Sequence, residues 1–465
     1  MATRTLALLL GLALCAGGSS AQASAATKPG HNAAHSKHKA PPPEIALTPT
    51  LGAGGVGVTM APVGLSVEYP VMAHDLGSGD CAPATLSAEL QQLGSPPIAL
   101  AGDSQDETAP SGAVPAPAQS WEAATLYTLP ASFWTQLHCL LASTPDPLTV
   151  GLNARTGQAS WAAQMVAGAQ SAATNGLAFS LGNEPDLYPL PNYSELDKPQ
   201  VNEEAVAVNT YLQIAEQTKP AVGDSPLIGP ELARPADWRH ELPRVIAQLH
   251  EQTVGVHLYP LSTCVTPKAV TISGLLSSEA AETPRSLAWV VADANAAQVP
   301  AIISEANSAS CGGVAGVSDS PASAVWAVRF VLSALMTGFR EVRFHFSGGP
   351  YDPFVVNGEE VLSRPLESAL VALNQWLPVG SSVRGLDVRG LVADAVSKPS
   401  GASMLILENE HRTARSVLVR GVGSAMIQTL GPTRAGMLSS ELLSPRDRVE
   451  LTVAPNSVLA VSPSS

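Results

Sequence analysis

The chain has 465 residues, of which 45% are apolar and 14% are charged, so it is long enough to bury a large core and to form more than one domain. Its formal net charge is −14, and the body of the chain contains no run of Lys or Arg. This balance argues against nucleic acid or a polyanionic glycosaminoglycan as the main partner, and it favours a neutral or singly charged substrate.

The N-terminal residues predict export from the cytoplasm. Arg4 precedes an apolar run from Leu6 to Ala16, and AQASA supplies small residues for cleavage, so residues 1–26 are predicted to be a signal peptide. The apolar run is too short to span a membrane. Cys15 leaves lipid attachment as an alternative, although Leu14 stands where such sites usually have Gly or Ala. We therefore expect a secreted or otherwise extracytoplasmic protein.

Residues 27–44 combine Pro, Lys, His and Ala with almost no large apolar side chain, so they are predicted to be a flexible linker. The stretch 45–62 that follows has a strand-like composition. It is predicted to be a β segment that joins the C-terminal domain.

From residue 63 to 379 short apolar runs alternate with longer segments of helical periodicity, which predicts a (β/α)8 barrel. A doubly wound open sheet is the rival architecture, but no glycine-rich nucleotide motif follows the first strand. The eight predicted strands are Leu65–Tyr69, Pro97–Ala101, Leu148–Leu152, Leu177–Leu181, Pro226–Ile228, Val254–Tyr259, Ala301–Ser304 and Glu341–Phe346. The predicted helices lie near 84–93, 131–142, 158–174, 203–218, 236–250, 270–297, 320–338 and 365–377.

Residues 380–465 have a different pattern, with short alternating runs separated by Gly, Pro and Ser. This pattern predicts an all-β domain, most simply a sandwich. The predicted fold class is therefore α/β, a (β/α)8 barrel with a C-terminal β-sandwich domain.

Two predicted barrel strands end at a glutamate. Glu184 follows the run Leu177–Leu181 in the sequence LGNEPDLY, and Glu305 follows Ala301–Ser304 in SEANSASCGG. The carboxyl ends of barrel strands are where such enzymes carry catalytic groups. Glycosidases use two carboxyl groups, about 5–5.5 Å apart when one is a nucleophile and about 6.5–9.5 Å apart when it activates water. Either glutamate alone is compatible with a solvated loop acid; the pair predicts glycoside hydrolysis.

Removal of the signal peptide leaves Cys81, Cys139, Cys264 and Cys311. An even number in an exported protein favours disulfides over metal ligation, and no pair has Cys-x-x-Cys spacing. Cys264 and Cys311 each lie a few residues beyond neighbouring strands, so they are predicted to form a disulfide. Cys81 and Cys139 are left to pair or to stay free.

Five motifs in this order resemble glycoside hydrolase family 79, the β-glucuronidase and heparanase family. They are LAGDSQD at the second strand, LGNEPDLY at the fourth, HLYPLSTC at the sixth, SEANSASCGG at the seventh and FHFSGGPYDPF at the eighth. The resemblance covers roughly residues 60–380 together with a β-domain. It implies hydrolysis of β-glucuronides with retention, with Glu184 as the acid/base and Glu305 as the nucleophile. No cofactor and no metal are implied.

The chemistry of these roles makes further predictions. Burial and a second carboxylate should raise the pKa of Glu184, so that it can donate a proton. Glu305 should stay ionised, with hydrogen bonds from Tyr259, Ser304, Asn307 or the backbone near Gly312 and Gly313. Asn183 is expected to donate to the 2-hydroxyl of the sugar.

Other candidate substrate-binding residues are less specific. His257 is expected either to contact substrate or to brace the barrel rim, and Asp103 and Asp106 face the same choice because a GDSQD turn also suits a plain strand-to-helix connection. Tyr351 is predicted to bind a substrate carboxylate, with backbone N–H groups of Ser308, Ser310, Gly312 and Gly313 completing the anion site.

Two alternative functions remain open at this point. A barrel glycosidase that acts on a neutral sugar has the same fold and catalytic pair, because specificity lies in the loops. A non-catalytic carbohydrate-binding protein is disfavoured, since binding alone does not require two acids at this spacing. The sequence predicts no oligomeric state.

Overall fold

The computed structural model describes residues 42–46, 54–113, 127–188, 203–431 and 438–463. The predicted signal peptide and residues 27–41 of the predicted linker lie outside these ranges. Within them, no helix is both long enough and apolar enough to cross a membrane.

Eight parallel strands form the barrel. Strands β1 to β14 are Glu44–Ala46, Val56–Gly57, Val63–Val67, Ile98–Leu100, Thr108–Ala109, Tyr127–Thr128, Leu148–Leu152, Leu177–Leu181, Ile228–Leu232, Thr253–Leu258, Ala301–Ala306, Val342–Phe346, Phe354–Asn357 and Glu360–Ser363. The order around the barrel is β8-β7-β4-β3-β12-β11-β10-β9, and a bridge between Phe179 of β8 and Leu227, just before β9, brings the two ends together. The predicted (β/α)8 fold is therefore confirmed.

The helices surround the barrel, and short 3-10 turns follow several strands at the rim where the carboxyl ends of the strands lie. Helices α1 to α11 are Tyr69–Leu76, Ala84–Gln92, Phe133–Ser143, Ala159–Ala172, Glu203–Val222, Leu242–Leu249, Ile272–Leu275, Ser278–Glu282, Ala288–Ala296, Pro321–Thr337 and Pro365–Trp376. The 3-10 turns are Asp103–Asp106, Pro185–Leu187, Pro235–Trp238, Pro267–Ala269 and Thr283–Leu287.

Helix α10 is unusual because every residue from Ala322 to Leu335 is buried. It begins with Pro321, whose fixed φ suits the first turn, and it ends at Gly338, which has φ +112°. A helix that is apolar on all sides must be covered on all sides. The barrel covers one side of α10, and the C-terminal β domain covers another, where Arg329 lies 3.5 Å from Glu408.

The C-terminal domain contains strands β15 to β20, which are Ser382–Val388, Leu391–Ser397, Ser403–Asn409, Arg415–Leu430, Ser439–Val453 and Ser457–Pro463. They belong to one curved sheet of eight strands with the order β1-β18-β20-β17-β16-β15-β2, and β19 pairs beside β18. Strand β1 pairs in parallel with β18, and β2 pairs with β15, so both strands before the barrel belong to this sheet.

This sheet buries both of its faces. Side chains such as Val383, Ile406 and Val458 on one face join the core of the barrel. Leu405, Val417 and Val461 belong to a second apolar cluster on the other face. The pairing of β18 with β19 shifts register between Arg420 and Ala425, so the long strand changes direction and helps to enclose this second cluster.

The structure corrects several predicted boundaries. Helix α1 is absent from the predictions, which extended the first strand to Tyr69, although Pro70 in the first turn of α1 is a helix-start signal. The helix predicted over 270–297 is divided into α7, α8, a 3-10 turn and α9, with Pro284 at the start of that turn. Strand β9 extends to Leu232 rather than ending at Ile228, and Glu305 lies inside β11 rather than after it.

Candidate active site

Glu184 and Glu305 meet at the carboxyl end of the barrel. Glu184 follows β8 and Glu305 lies near the end of β11. One carboxylate oxygen of each, together with a ring nitrogen of His257, lie within 4.8 Å of one another. Glu305 is 6% exposed, so the cleft opens mainly on the side of Glu184.

The backbone presents Glu184 in a strained conformation. Its φ is +46°, in the left-handed region that a non-glycine residue seldom adopts. Its N–H donates to the carbonyl of Glu231, 3.1 Å away. The carboxylate of Asp186 accepts the N–H groups of Ala233 at 3.0 Å and Arg234 at 2.6 Å. The loop that carries Glu184 is therefore bound to the loop after β9, which explains why this conformation is held.

His257 lies between the two glutamates. Its Nδ1 is 2.9 Å from Glu184 Oε1 and 3.7 Å from Glu305 Oε1, and the residue is 2% exposed. Burial alone would favour the neutral ring, but Glu305 and Glu184 outweigh it and raise the pKa of His257 to about 10. At neutral pH the ring is therefore protonated and donates to Glu184.

The expected raised pKa of Glu184 is wrong. Burial acts to raise it, but the hydrogen bond and the positive charge of His257 outweigh burial, so the pKa of Glu184 lies below its ordinary value. Sequence reasoning counted the second carboxylate and could not see the imidazolium between the two acids. In the free protein the proton of this pair resides on His257.

Tyr259 contacts Glu305 directly. Its hydroxyl donates to Glu305 Oε1 over 2.7 Å. The other predicted donors are used elsewhere: Ser304 Oγ donates to the carbonyl of Val256 at 3.4 Å, and the Asn307 amide donates to the carbonyl of His345 at 2.9 Å. Tyr259 is thus the hydroxyl donor that orients Glu305.

Asn183 and Asp103 lie on the other side of Glu184. The N–H of Asn183 donates to Asp106 Oδ2 over 2.9 Å, and its side-chain amide lies 3.4 Å from Asp103 Oδ1. Burial, with the negative charges of Glu68, Glu305 and Glu184, raises the pKa of Asp103 to about 6. These residues line an open polar cleft of about 100 Å³ that Arg155, Leu187 and Tyr188 complete.

Tyr351 and the two glycines lie beyond Glu305. Tyr351 is 2% exposed, its hydroxyl accepts from Ser347 Oγ at 3.0 Å, and its ring packs against the ring of His345 at 5.8 Å. Gly313, at φ +71°, passes so close that a Cβ would lie 2.8 Å from Tyr351 Cδ1. A Cβ on Gly312, at φ +87°, would meet open space.

Part of the predicted anion site is already occupied. The N–H of Ser308 donates to its neighbour Asn307 Oδ1 at 2.8 Å, and the N–H of Ser310 donates to the carbonyl of Leu261 at 3.0 Å. Neither group is free for a substrate carboxylate. Gly312 and Gly313 are the members of the predicted set that still fit this role.

Sequence reasoning missed Glu68 and His345. Glu68 directly follows β3, and His345 lies in β12 within the FHFSGG motif. His345 Nδ1 is 3.3 Å from Glu305 Oε2, and its Nε2 is 3.4 Å from Glu68 Oε1. A signal was present for Glu68, because a glutamate at the end of a barrel strand is the same pattern that identified Glu184.

Two disulfides are present, Cys264–Cys311 and Cys81–Cys139. The first is the pair predicted from the sequence. It joins the loop after β10, which begins at Tyr259, to the loop that carries Gly312 and Gly313. A backbone bridge between Ser262 and Ser310 lies beside it. The second disulfide has a Cα–Cα distance of 5.4 Å and tethers α3 to the segment before α2.

The distances among Glu184, His257 and Glu305 would also suit a bound cation. Without a cation, the arrangement is suited to acid–base chemistry: one carboxylate lies beside a protonated imidazole, and the other accepts a hydrogen bond from a tyrosine hydroxyl.

No protein-family model and no curated protein sequence match the chain. Solved structures do match. A 4-O-α-L-rhamnosyl-β-D-glucuronidase from Fusarium oxysporum 12S, solved as its Rha-GlcA complex, is 20% identical with a TM-score of 0.63, over 88% of this chain and 97% of that chain.

A GH51 arabinofuranosidase from Xanthomonas axonopodis pv. citri is 12% identical with a TM-score of 0.59, over 88% of this chain and 93% of that chain. A GH30 endoxylanase from Clostridium papyrosolvens C71 is 9% identical with a TM-score of 0.54, over 91% of this chain and 99% of that chain. At these identities the likeness establishes the fold, and function must be argued from the site.

Proposed function

We propose that this protein is a retaining glycoside hydrolase that cleaves β-glucuronides. The observation that carries the proposal is the approach of Glu184 and Glu305, whose nearest carboxylate oxygens lie within 4.8 Å. This spacing is closer to the separation of about 5–5.5 Å of a nucleophilic carboxylate than to the about 6.5–9.5 Å of an inverting enzyme.

In this mechanism a Glu305 oxygen attacks the anomeric carbon and the bond to the glycosidic oxygen breaks. The departing oxygen takes a proton from Glu184, which receives it from His257 through the 2.9 Å contact. Glu305 loses its negative charge when it forms the bond, and that charge is the largest of the effects that raise the pKa of His257. The proton is therefore released as the new bond forms. In the second step water attacks the glycosyl ester and returns its proton to Glu184.

The glucuronide substrate is supported by two observations. The Fusarium structure, the most similar of those described above, is named as a β-D-glucuronidase. Tyr351 and the backbone of Gly312 and Gly313 lie beside Glu305, where donors for a C5 carboxylate would be needed.

A neutral sugar is the second candidate. The matches include arabinofuranosidases and xylanases. The positive charge of His345 is already shared between Glu68 and Glu305, so it adds little attraction for a substrate anion.

Hydrolysis of a panel of aryl glycosides by the purified mature protein tests both candidates. The panel contains the β-glucuronide, β-glucoside, β-xyloside and α-arabinofuranoside, and NMR follows the first anomer released. We expect the glucuronide to be preferred and β-glucuronic acid to be released first. Release of the α-anomer first would overturn Glu305 as nucleophile. Absence of hydrolysis across the panel and on oligosaccharides would favour a carbohydrate-binding protein.

Secretion is part of the proposal. Residues 1–26 have the composition of a signal peptide, and two disulfides in a chain of this kind suit an oxidising compartment. N-terminal sequencing of the protein recovered from culture medium tests it, and recovery of the intact chain from the cytosol alone would refute it. The proposed partner is a carbohydrate substrate, with no nucleic acid and no cofactor.

A further inference from the structure

Three side chains on adjacent strands form a line that ends at the proposed nucleophile. Glu68 follows β3, His345 lies in β12 and Glu305 lies in β11, and β12 pairs with both of the other strands. Glu68 Oε1 is 3.4 Å from His345 Nε2, and His345 Nδ1 is 3.3 Å from Glu305 Oε2. His345 is 5% exposed. The ring therefore joins two carboxylates with little access to solvent.

Glu68 is fixed by the backbone. Its oxygens accept the N–H groups of Asp103 at 3.1 Å and Ser104 at 2.8 Å, in the first turn of a 3-10 helix. Gly102, at φ +80°, makes this approach possible, because a Cβ there would lie 2.5 Å from Glu68 Oε1 and 2.6 Å from His345 Cε1. A carboxylate held so firmly can orient the ring beside it.

The charges in this line determine where the proton lies. Burial acts against the imidazolium, but Glu305 and Glu68 outweigh it and raise the pKa of His345 to about 9. The contacts of Glu68 with His345 and Ser104 outweigh burial and lower its pKa. The titratable groups that act on His345 or contact it are Glu68, Asp103, Glu184, His257, Glu305, Tyr351 and Asp352.

We propose that Glu68 is a positioning residue that acts through His345 to keep a positive charge beside Glu305. Tyr259 donates a hydrogen bond to Glu305 Oε1, whereas His345 Nδ1 lies 3.3 Å from Oε2 without a hydrogen bond and acts on it through its charge. The inference rests on the proposed role of Glu305. The alternative is a purely structural role, in which Glu68 only accepts hydrogen bonds from the N–H groups of Asp103 and Ser104. The experiments below distinguish this role from an effect on His345.

The variant Glu68→Gln keeps the shape of the side chain and one of its two acceptor oxygens, and it removes the charge. One of the two N–H groups, of Asp103 or Ser104, loses its acceptor. Without that charge the pKa of His345 falls, so the ring loses its proton at a lower pH and Glu305 then lacks its cationic neighbour. We expect the alkaline limb of the kcat/KM profile to move to lower pH by about one unit, and kcat/KM at the optimum to fall about 10-fold or more. An unchanged profile would overturn the proposal.

Asp75→Asn is a matched control. Asp75 is also a buried carboxylate with a histidine partner, its Oδ1 lying 2.9 Å from His74 Nδ1, but it lies in α1 and faces the apolar core behind β3. This variant should leave both limbs of the profile at the same pH as in the wild type, whatever its effect on the thermal midpoint. A shift of the alkaline limb in Asp75→Asn equal to that in Glu68→Gln would show that the profile reports general destabilisation, and would overturn the proposal.

A double-mutant cycle tests whether Glu68 acts through His345. If it does, Glu68→Gln should have little further effect on kcat/KM in a His345→Gln background. Independent, additive losses would overturn the proposed route.

The protonation state of His345 can also be measured directly, which does not require the protein or its variants to be active. In ¹⁵N-histidine NMR of the wild-type protein, with the His345 signals assigned by His345→Gln, the ring should stay doubly protonated at pH 7.5. A neutral His345 at that pH would overturn the inference, even if the glycosidase activity is present. Conversely, a protonated ring in a protein that hydrolyses no glycoside would remove the proposed function alone.

Discussion

His257 Nδ1 lies 2.9 Å from Glu184 Oε1, and only 2% of His257 is exposed to solvent. Glu184, the proposed acid, is therefore ionised at rest and lies against the protonated His257. The pair holds its proton to high pH, since removing it would leave two buried carboxylates without the imidazolium that balances them.

This arrangement predicts the pH dependence of His257→Asn. In the wild type the alkaline limb of activity should lie well above neutrality, because the pKa of His257 is about 10. In the variant the proton must reside on Glu184 alone, so the alkaline limb should move down by more than one unit. Rates on an aryl glycoside with a poor leaving group, measured across the pH range, check this. An alkaline limb at the same pH in both proteins would contradict it.

The same contact predicts how stability depends on pH. The folded pKa of His257, about 10, lies above the ordinary value of 6.5, so its contribution is complete below about pH 6.5 and is lost as pH rises to about 10. Denaturant unfolding of the wild type and His257→Asn should show a difference in free energy of unfolding that shrinks over this window. A difference that grows with pH would be inconsistent with an imidazolium.

The two glutamates should respond differently to removal. Glu305→Gln should abolish turnover on every substrate, because the amide cannot form the glycosyl ester. Glu184→Ala should keep measurable hydrolysis of substrates whose leaving group needs no protonation, and lose about 10²–10⁴-fold on others. The ratio of rates on dinitrophenyl and methyl glycosides measures the contrast. Equal losses on both substrates in Glu184→Ala would remove its role as acid.

Tyr351→Phe tests recognition of the substrate carboxylate. The hydroxyl accepts from Ser347, which leaves its own proton for an anion. If the glucuronide is preferred over the glucoside by more than about tenfold, roughly 1.4 kcal/mol, the variant should lose part of that margin while its glucoside rate stays nearly unchanged. Equal losses on both substrates would show that Tyr351 only packs against His345.

The Cys264–Cys311 disulfide should affect catalysis as well as stability. The two cysteines are 47 residues apart in sequence, so the loss of chain entropy in the unfolded state stabilises the folded protein by about 4 kcal/mol. The two loops that the disulfide joins carry Tyr259 and the glycines beside Tyr351. Cys264→Ser with Cys311→Ser should lower the thermal midpoint and raise KM. The matched pair Cys81→Ser with Cys139→Ser should lower the midpoint but leave KM unchanged. A KM that is equal in both double variants would contradict a link to substrate binding.

The barrel and the placement of Glu184 and Glu305 could be predicted because both depend on local order in the sequence. Apolar periodicity identified the strands, and parallel strands of a barrel bring their carboxyl ends to one rim. The pairing of Cys264 with Cys311 followed from the same geometry, as two loops on adjacent strands.

The protonation of the site could not be predicted, because it depends on which side chains meet across the barrel. His257 and Glu184 are 73 residues apart, and His345 and Glu68 are separated by most of the chain. Periodicity places each residue on a strand but gives no distance between an imidazole and a carboxylate. The direction of the Glu184 pKa shift therefore required the structure.

Helix α10 lies between the barrel and the C-terminal sheet, and its burial has a practical consequence for anyone who wishes to dissect the protein. Arg329 in the middle of this helix contacts Glu408 and Glu410 at the end of β17, and Met336 reaches Gly385 in β15. The two architectural parts thus share one interior. A truncated gene that stops after α11 would produce a barrel with an uncovered apolar flank and an unbalanced guanidinium, and such a fragment should accumulate as inclusion bodies rather than as a minimal enzyme.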